Sequence, residues 1–152
     1  MLMYSVYDIA NFFRATAADR DAGELLTHLK LQKLCYYAQG FNLAINGEPL
    51  FPQRIEAWQH GPVVPDLWHK YRGYAWAPIK PPDEFDADDY DPDTQQLLAD
   101  VYAAYGQFSA WKLRDMTHEE QPWAEAWAKG PNSEITQQAL REYFTTLVEE
   151  SP

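Results

Sequence analysis

A single cysteine, Cys35, is present among the 152 residues, so an internal disulfide framework is excluded. One thiol cannot form a thiolate metal site, and the four histidines do not occur at a paired ligand spacing. No signal-peptide pattern is visible, and the low cysteine content fits a reducing compartment. We therefore expect a cytoplasmic protein without a structural metal.

Basic residues are also scarce, with 12 Lys and Arg against 23 Asp and Glu, which gives a net charge of −11. A general nucleic-acid binder needs a basic face that displaces counterions from phosphates, so direct binding to nucleic acid is not expected. No apolar run reaches the length needed to cross a bilayer, and no membrane partner is expected either.

The common catalytic signatures are absent, namely the G-x-S-x-G elbow, the Walker loop and the G-x-G-x-x-G fingerprint. The remaining catalytic candidate is an acid/base pair formed by His118 and Glu119. The alternative is structural: Thr117 or His118 caps a helix, and Trp123 anchors that helix in the core. Because no nucleophile or metal accompanies the pair, the structural interpretation is favoured. The sequence therefore predicts a protein that is not an enzyme and has no cofactor.

The most informative stretch begins at Thr27, a suitable N-cap, and ends at Asn46-Gly47, a suitable helix stop. Apolar residues at helical spacing predict one buried face, formed by Leu31, Leu34, Cys35, Ala38, Phe41 and Ile45. Lys30 and Lys33 lie in the first turns, where the helix dipole favours acidic residues. This departure from the dipole preference indicates either a functional feature or two lysines that pair with acidic side chains from elsewhere in the fold.

Most of the remaining chain also has helical patterns. Short apolar or alternating pieces at residues 50–51 and 55–58 instead predict a small strand pair. We therefore predict a mainly α, compact single-domain helical fold over residues 1–152, with a small antiparallel β element around residues 49–60.

Aromatic residues are abundant, with six Trp, ten Tyr and seven Phe. Residues 58–68 (WQHGPVVPDLW) combine a rigid turn with two tryptophans. This segment could be a contact surface, since tryptophan is a usual anchor of interfaces. It could equally be a turn that its aromatic rings pack onto the core.

Charge is unevenly distributed along the chain. Residues 77–93 contain four prolines and seven acidic residues, a composition typical of an exposed loop. Residues 27–72 carry five basic and three acidic side chains and are the only segment that is not acidic.

Three motifs follow one another: residues 29–39 (LKLQKLCYYAQ), residues 55–65 (IEAWQHGPVVP) and residues 117–123 (THEEQPW). Together they resemble the Panacea domain family, which includes SocA-like antitoxins and phage-associated, GepA-like proteins. The resemblance runs from about Val6 to Phe144. It implies an antitoxin, usually encoded beside its toxin, that in most cases neutralises the toxin by direct protein binding. In one family member the antitoxin is instead an adaptor that delivers the toxin to an ATP-dependent protease.

These observations lead to a binding hypothesis in which the acidic loop steers a basic toxin and exposed aromatic residues anchor it. In the adaptor alternative, a second face that contacts the protease would be lined by Lys30, Lys33 and Tyr37. The sequence leaves the oligomeric state and the stoichiometry open. The candidate partner-binding residues are Lys30, Lys33, Tyr37, Trp58, His60, Trp68, Tyr71, Tyr74, Trp76, Asp86, Asp88 and Asp89.

Overall fold

The computed structural model describes residues 3–19 and 26–150. The helices in these residues are α1 (Val6–Asp19), α2 (His28–Asn46), α3 (Pro65–Tyr71), α4 (Pro92–Tyr105), α5 (Ala110–His118), α6 (Gln121–Ala128) and α7 (Gln137–Glu150). The strands are β1 (Ile55–Trp58), β2 (Gly61–Val63) and β3 (Ser133–Ile135). The predicted mainly α fold with a small antiparallel β element is confirmed. Within the described residues, every helix is too short or too polar to cross a membrane.

Helix α2 has the boundaries that its sequence predicts. The side chain of Thr27 accepts a hydrogen bond from the backbone N–H of Lys30 at 3.2 Å, which caps the first turn. Gly47 follows the last turn with φ of 75°, a left-handed conformation that glycine adopts without strain, and its N–H donates to Leu43.

The expectation that α2 buries only one face is wrong. The helix packs against α1, α3, α4, α5, α7 and β2, so most of its circumference is enclosed. Gln32 and Lys33 are as completely buried as Leu31, each with 0% exposure. Ile45, predicted to face the core, is instead 55% exposed because the last turn extends beyond the surrounding elements.

Several buried polar side chains of α2 form hydrogen bonds with the backbone of neighbouring segments. Gln39 accepts hydrogen bonds from the N–H groups of Leu50 (2.7 Å) and Phe51 (3.2 Å), and its amide donates to the Phe51 carbonyl (2.8 Å). Asn42 donates to the carbonyl of Glu48 at 2.8 Å. These hydrogen bonds satisfy backbone groups of residues 50–51 that would pair with a neighbouring strand if the residues belonged to a sheet.

The sheet consists of three antiparallel strands in the order β2-β1-β3. Strand β1 lies in the centre, with Ala57 opposite Pro62 on β2 and Ser133 on β3. The predicted pairing of residues 50–51 with residues 55–58 is therefore wrong. The true partners are the turn segment directly after β1 and a distant strand near the C-terminal helix, which no local pattern indicates.

Gly40, in the middle of α2, allows the closest approach of α7. A Cβ atom at Gly40 would collide with the ring of Phe144, which is fully buried among other aromatic rings. We predict that Gly40→Ala lowers the free energy of unfolding by about 1–3 kcal/mol, because overpacking outweighs the gain in helix propensity. Denaturant titration measures this loss, and Gly73→Ala is the matched control because open space surrounds Gly73. Equal stability of the two variants would contradict the packing argument.

Gln39 provides a second test of the core. Gln39→Leu keeps the volume but leaves two N–H groups and one carbonyl of residues 50 and 51 unsatisfied, at roughly 1–3 kcal/mol each. We expect a loss of at least about 3 kcal/mol and a melting temperature lower by roughly 6–12 °C. The control is Gln96→Leu, at an exposed position where the amide donates only to Asp100. A small loss, similar to that of the control, would show that these bonds contribute little.

Candidate partner-binding surface

The turn between β1 and β2 is pressed directly onto α2. Gly61 has φ of 110°, and a Cβ atom there would lie 2.7 Å from Lys33 Cε and 2.9 Å from Thr117 Oγ1. Only glycine therefore satisfies both the backbone conformation and the available space. After the turn, the N–H of Val64 donates to Gln32 Oε1 at 2.9 Å, which fixes the start of α3 relative to α2.

Beside this turn lies an apolar surface groove with a volume of about 260 Å³. We call it the tryptophan groove, and its lining residues are His28, Leu29, His60, Trp68, Ala75 and Trp76. The first turn of α2, the β1–β2 turn, α3 and the segment after α3 each contribute to it. Trp76 is 68% exposed, so its indole is available to a partner.

His28 lines the tryptophan groove, and one polar atom of its ring is buried. The side chain is only 7% exposed, and its Nδ1 is buried without a hydrogen-bond partner among the described residues. Its ring centroid lies 6.3 Å from that of Trp68. Burial, and secondarily the charge of Lys33, lowers the pKa of His28, so the imidazole is neutral at physiological pH.

Cationic side chains lie over the aromatic rings at the rim. The Arg72 guanidinium lies 5.4 Å from the centroid of Trp68. Arg114 lies 4.6 Å from the centroid of Trp111, and its Nε donates to His60 Nδ1 at 3.2 Å. Trp111 is 55% exposed and extends the aromatic surface beyond the groove. This rim is locally basic in a strongly acidic protein.

The structure gathers four of the predicted aromatic candidates in one place. His60, Trp68 and Trp76 line the tryptophan groove, and half-buried Trp58 supports it, with its ring 5.4 Å from that of Trp68. Two other candidates lie apart from the groove lining. Tyr71 is only 3% exposed and accepts a hydrogen bond from Arg14 at 3.0 Å, and half-buried Tyr74 lies 6.0 Å from it.

Lys30, Lys33 and Tyr37 do not form an exposed second face, because all three are buried. Lys30 donates to the carbonyl of Gly106, and Lys33 Nζ donates to the carbonyl of Pro62 at 3.4 Å. Burial, with a smaller effect from the charge of Arg114, lowers the pKa of Lys33 to about 7. The lysines therefore hold neighbouring backbone segments against α2.

The acidic candidates Asp86, Asp88 and Asp89 are exposed and lie outside the tryptophan groove. A short 3-10 turn shapes their loop, and Asp86 Oδ1 accepts from the N–H of Asp88 at 2.9 Å. Phe85 and Tyr90 attach the loop to α1 through Phe12, with ring centroids 5.7 Å and 5.2 Å away. The acidic loop and the groove share no lining residue.

The structure does not bring His118 and Glu119 together as a catalytic pair. His118 stacks on Trp123 with centroids 4.0 Å apart, and its Nε2 is buried. Glu119 is exposed and lines a different surface cavity, beside Lys112. No hydrogen bond joins the two side chains in the described part of the chain. The anchoring role of Trp123 is confirmed, since it is 8% exposed and donates to the Trp58 carbonyl at 2.8 Å.

The predicted cap at Thr117 or His118 is wrong, because both residues belong to α5 and Glu120 precedes α6. Sequence reasoning also missed the role of Glu120. Its two carboxylate oxygens accept hydrogen bonds from Tyr36 and Tyr37, each at 2.9 Å, although the side chain is only 8% exposed. The consecutive tyrosines in α2 were the available signal, since buried hydroxyls require an acceptor.

Two rim residues, Trp111 and Arg114, were also missed. Their spacing places them on one face of α5, away from buried Leu113, and this exposed Trp–Arg pair was the available signal. Among the residues that the structure describes, no group of three or more His, Cys, Asp or Glu is arranged to hold a metal ion.

Comparison with known families now completes the description of the site. The family model described as "Antitoxin SocA-like, Panacea domain" matches residues 31–124, which is more than half of the chain. The protein therefore belongs to the SocA-like Panacea domain family, a family that suggests an antitoxin role and is not a known enzyme family. The match covers the groove residues His60, Trp68 and Trp76 and the rim residue Trp111. No curated protein and no solved structure gives a significant match.

Glu120 makes stability depend on pH. Burial raises its pKa to about 7, against the opposing effect of the two tyrosine hydrogen bonds. The folded state then binds the proton more tightly than the unfolded state, so this stabilisation is lost as the pH rises from about 4.5 to about 7. We predict that the free energy of unfolding of Glu120→Gln, relative to that of the wild type, increases by about 3 kcal/mol when the pH is raised from about 5 to about 8.

Chemical denaturation at the two pH values measures the difference between the variant and the wild type. The matched control is Glu125→Gln, on the exposed surface of α6, the helix that Glu120 precedes. A difference for Glu120→Gln that stays constant across this range would contradict the raised pKa.

Proposed function

We propose that this protein is a cytoplasmic antitoxin that neutralises a cognate toxin by direct protein–protein binding through the tryptophan groove and its rim. Membership of the Panacea family supports the antitoxin role. The observation that carries the choice of surface is the exposure of Trp76 (68%) and Trp111 (55%) around one groove. Exposed tryptophans near arginines are the composition of interface hot spots.

The rigidity of this surface also favours binding. Trp68 is fixed between Trp58 and Arg72, and the turn that carries His60 is clamped onto α2 through Gly61. A preformed surface loses little conformational entropy when a partner binds, so more of the contact energy contributes to affinity.

The acidic loop has a separate role in this proposal. Asp86, Asp88 and Asp89 are exposed in a protein with a net charge of −11. Their negative potential accelerates the encounter with a basic toxin, while the aromatic groove provides the lasting contact. Steering acts over a distance, so the loop and the groove need not share a surface.

Direct sequestration is favoured over the adaptor alternative. An adaptor needs a second face for an ATP-dependent protease, and the residues expected to line it, Lys30, Lys33 and Tyr37, are buried. The half-life of the toxin in cells separates the two modes. Sequestration leaves the toxin intact, whereas delivery to a protease shortens its half-life.

Co-expression tests the proposed function. Each open reading frame adjacent to the gene of this protein is induced alone and together with it, and growth is measured. We expect one neighbour to arrest growth, and co-expression with this protein to restore growth and yield a complex that copurifies. If every neighbour is harmless alone, the antitoxin proposal fails.

Substitutions then test the surface. We predict that Trp76→Ala weakens the complex at least about 30-fold, the effect of losing a hot-spot side chain of about 2 kcal/mol or more. Ile45→Ala is the matched control, because Ile45 is a large apolar residue with 55% exposure outside the groove. Affinities are measured by titration calorimetry. Loss of binding in Ile45→Ala, with full binding in Trp76→Ala, would place the interface elsewhere.

A further inference from the structure

We propose that the tryptophan groove receives one aromatic side chain from a segment of the partner in which carboxylates flank that residue. This inference rests on the proposed function for the identity of the partner, which is the toxin. The chemistry of the segment follows from the groove itself.

The size and walls of the groove fit a single planar side chain. A volume of about 260 Å³ lies below the range of about 300–1,000 Å³ that is typical of small-molecule sites. The rings of Trp68 and Trp76 on its lining offer faces and edges for an incoming aromatic ring. An aromatic ring therefore matches the apolar walls of the groove.

The charges at the rim select the residues that flank the aromatic side chain. Among the described residues, Arg72 has no carboxylate within ion-pair distance, and its guanidinium lies over Trp68. Arg114 already pairs with Asp115 at 3.1 Å but also contacts His60 and Trp111. Two guanidinium groups beside an apolar groove attract carboxylates and repel a basic segment.

Selection from a library of random short peptides displayed on phage tests this specificity with the folded full-length chain as bait. We expect the wild type to enrich peptides with an aromatic residue flanked by Asp or Glu. Arg72→Glu should lose the acidic preference, and Trp76→Ala should lose the enrichment. Both residues are exposed, so neither variant is expected to unfold. The control bait is Lys129→Glu, an exposed charge reversal outside the groove.

A synthetic peptide of the enriched sequence then tests the two features of the segment. We expect exchange of its aromatic residue for Ala to abolish measurable binding to the wild type, because the aromatic ring fills the groove, and exchange of its flanking carboxylates for amides to weaken binding to the wild type but not to Arg72→Glu.

The outcomes separate this inference from the proposed function. Three results overturn the inference, even if the protein neutralises a toxin. They are enrichment of basic or purely aliphatic peptides, no enrichment at all, and enrichment that survives Trp76→Ala. Enrichment of acidic aromatic peptides that depends on Arg72 and Trp76 supports it. That result stands even if no neighbouring gene encodes a toxin, in which case only the proposed function fails.

Discussion

The structure depends on one constraint: the central helix α2 is enclosed, so each of its polar side chains needs a partner. Gln39 satisfies the backbone of residues 50 and 51, and Gln32 satisfies Val64. Tyr36 and Tyr37 donate to Glu120. Loops that would otherwise be independent are thereby joined to one helix. Such buried hydrogen bonds specify the arrangement of the chain more strictly than apolar packing alone.

Local patterns predicted the helices well because caps and stops act over a few residues. Thr27 and Gly47 bound α2 as their chemistry requires. The burial of α2 was not predictable, since polar residues such as Lys33 normally indicate solvent, and the groups that satisfy them lie far away in the sequence. The pairing in the sheet was not predictable for the same reason, because β1 pairs with β3, which lies more than half of the chain away in the sequence.

The candidate surface was predictable in its aromatic part only. His60, Trp68 and Trp76 occur close together in the sequence, on the β1–β2 turn, on α3 and in the segment after α3. His28 and Trp111 come from other helices, and only the tertiary fold shows that they adjoin the same groove. Lys30 and Lys33 broke a local rule, but the reason was structural: they donate to backbone carbonyls of segments that neighbour α2.

The contact of Gly40 with Phe144 bears on how the chain is made. Helix α7 covers α2, yet the ribosome synthesises it after every other described helix. A nascent chain therefore carries the most buried helix with one side open to solvent until α7 has emerged. Aromatic and aliphatic surface exposed for that long favours association with chaperones or with other nascent chains.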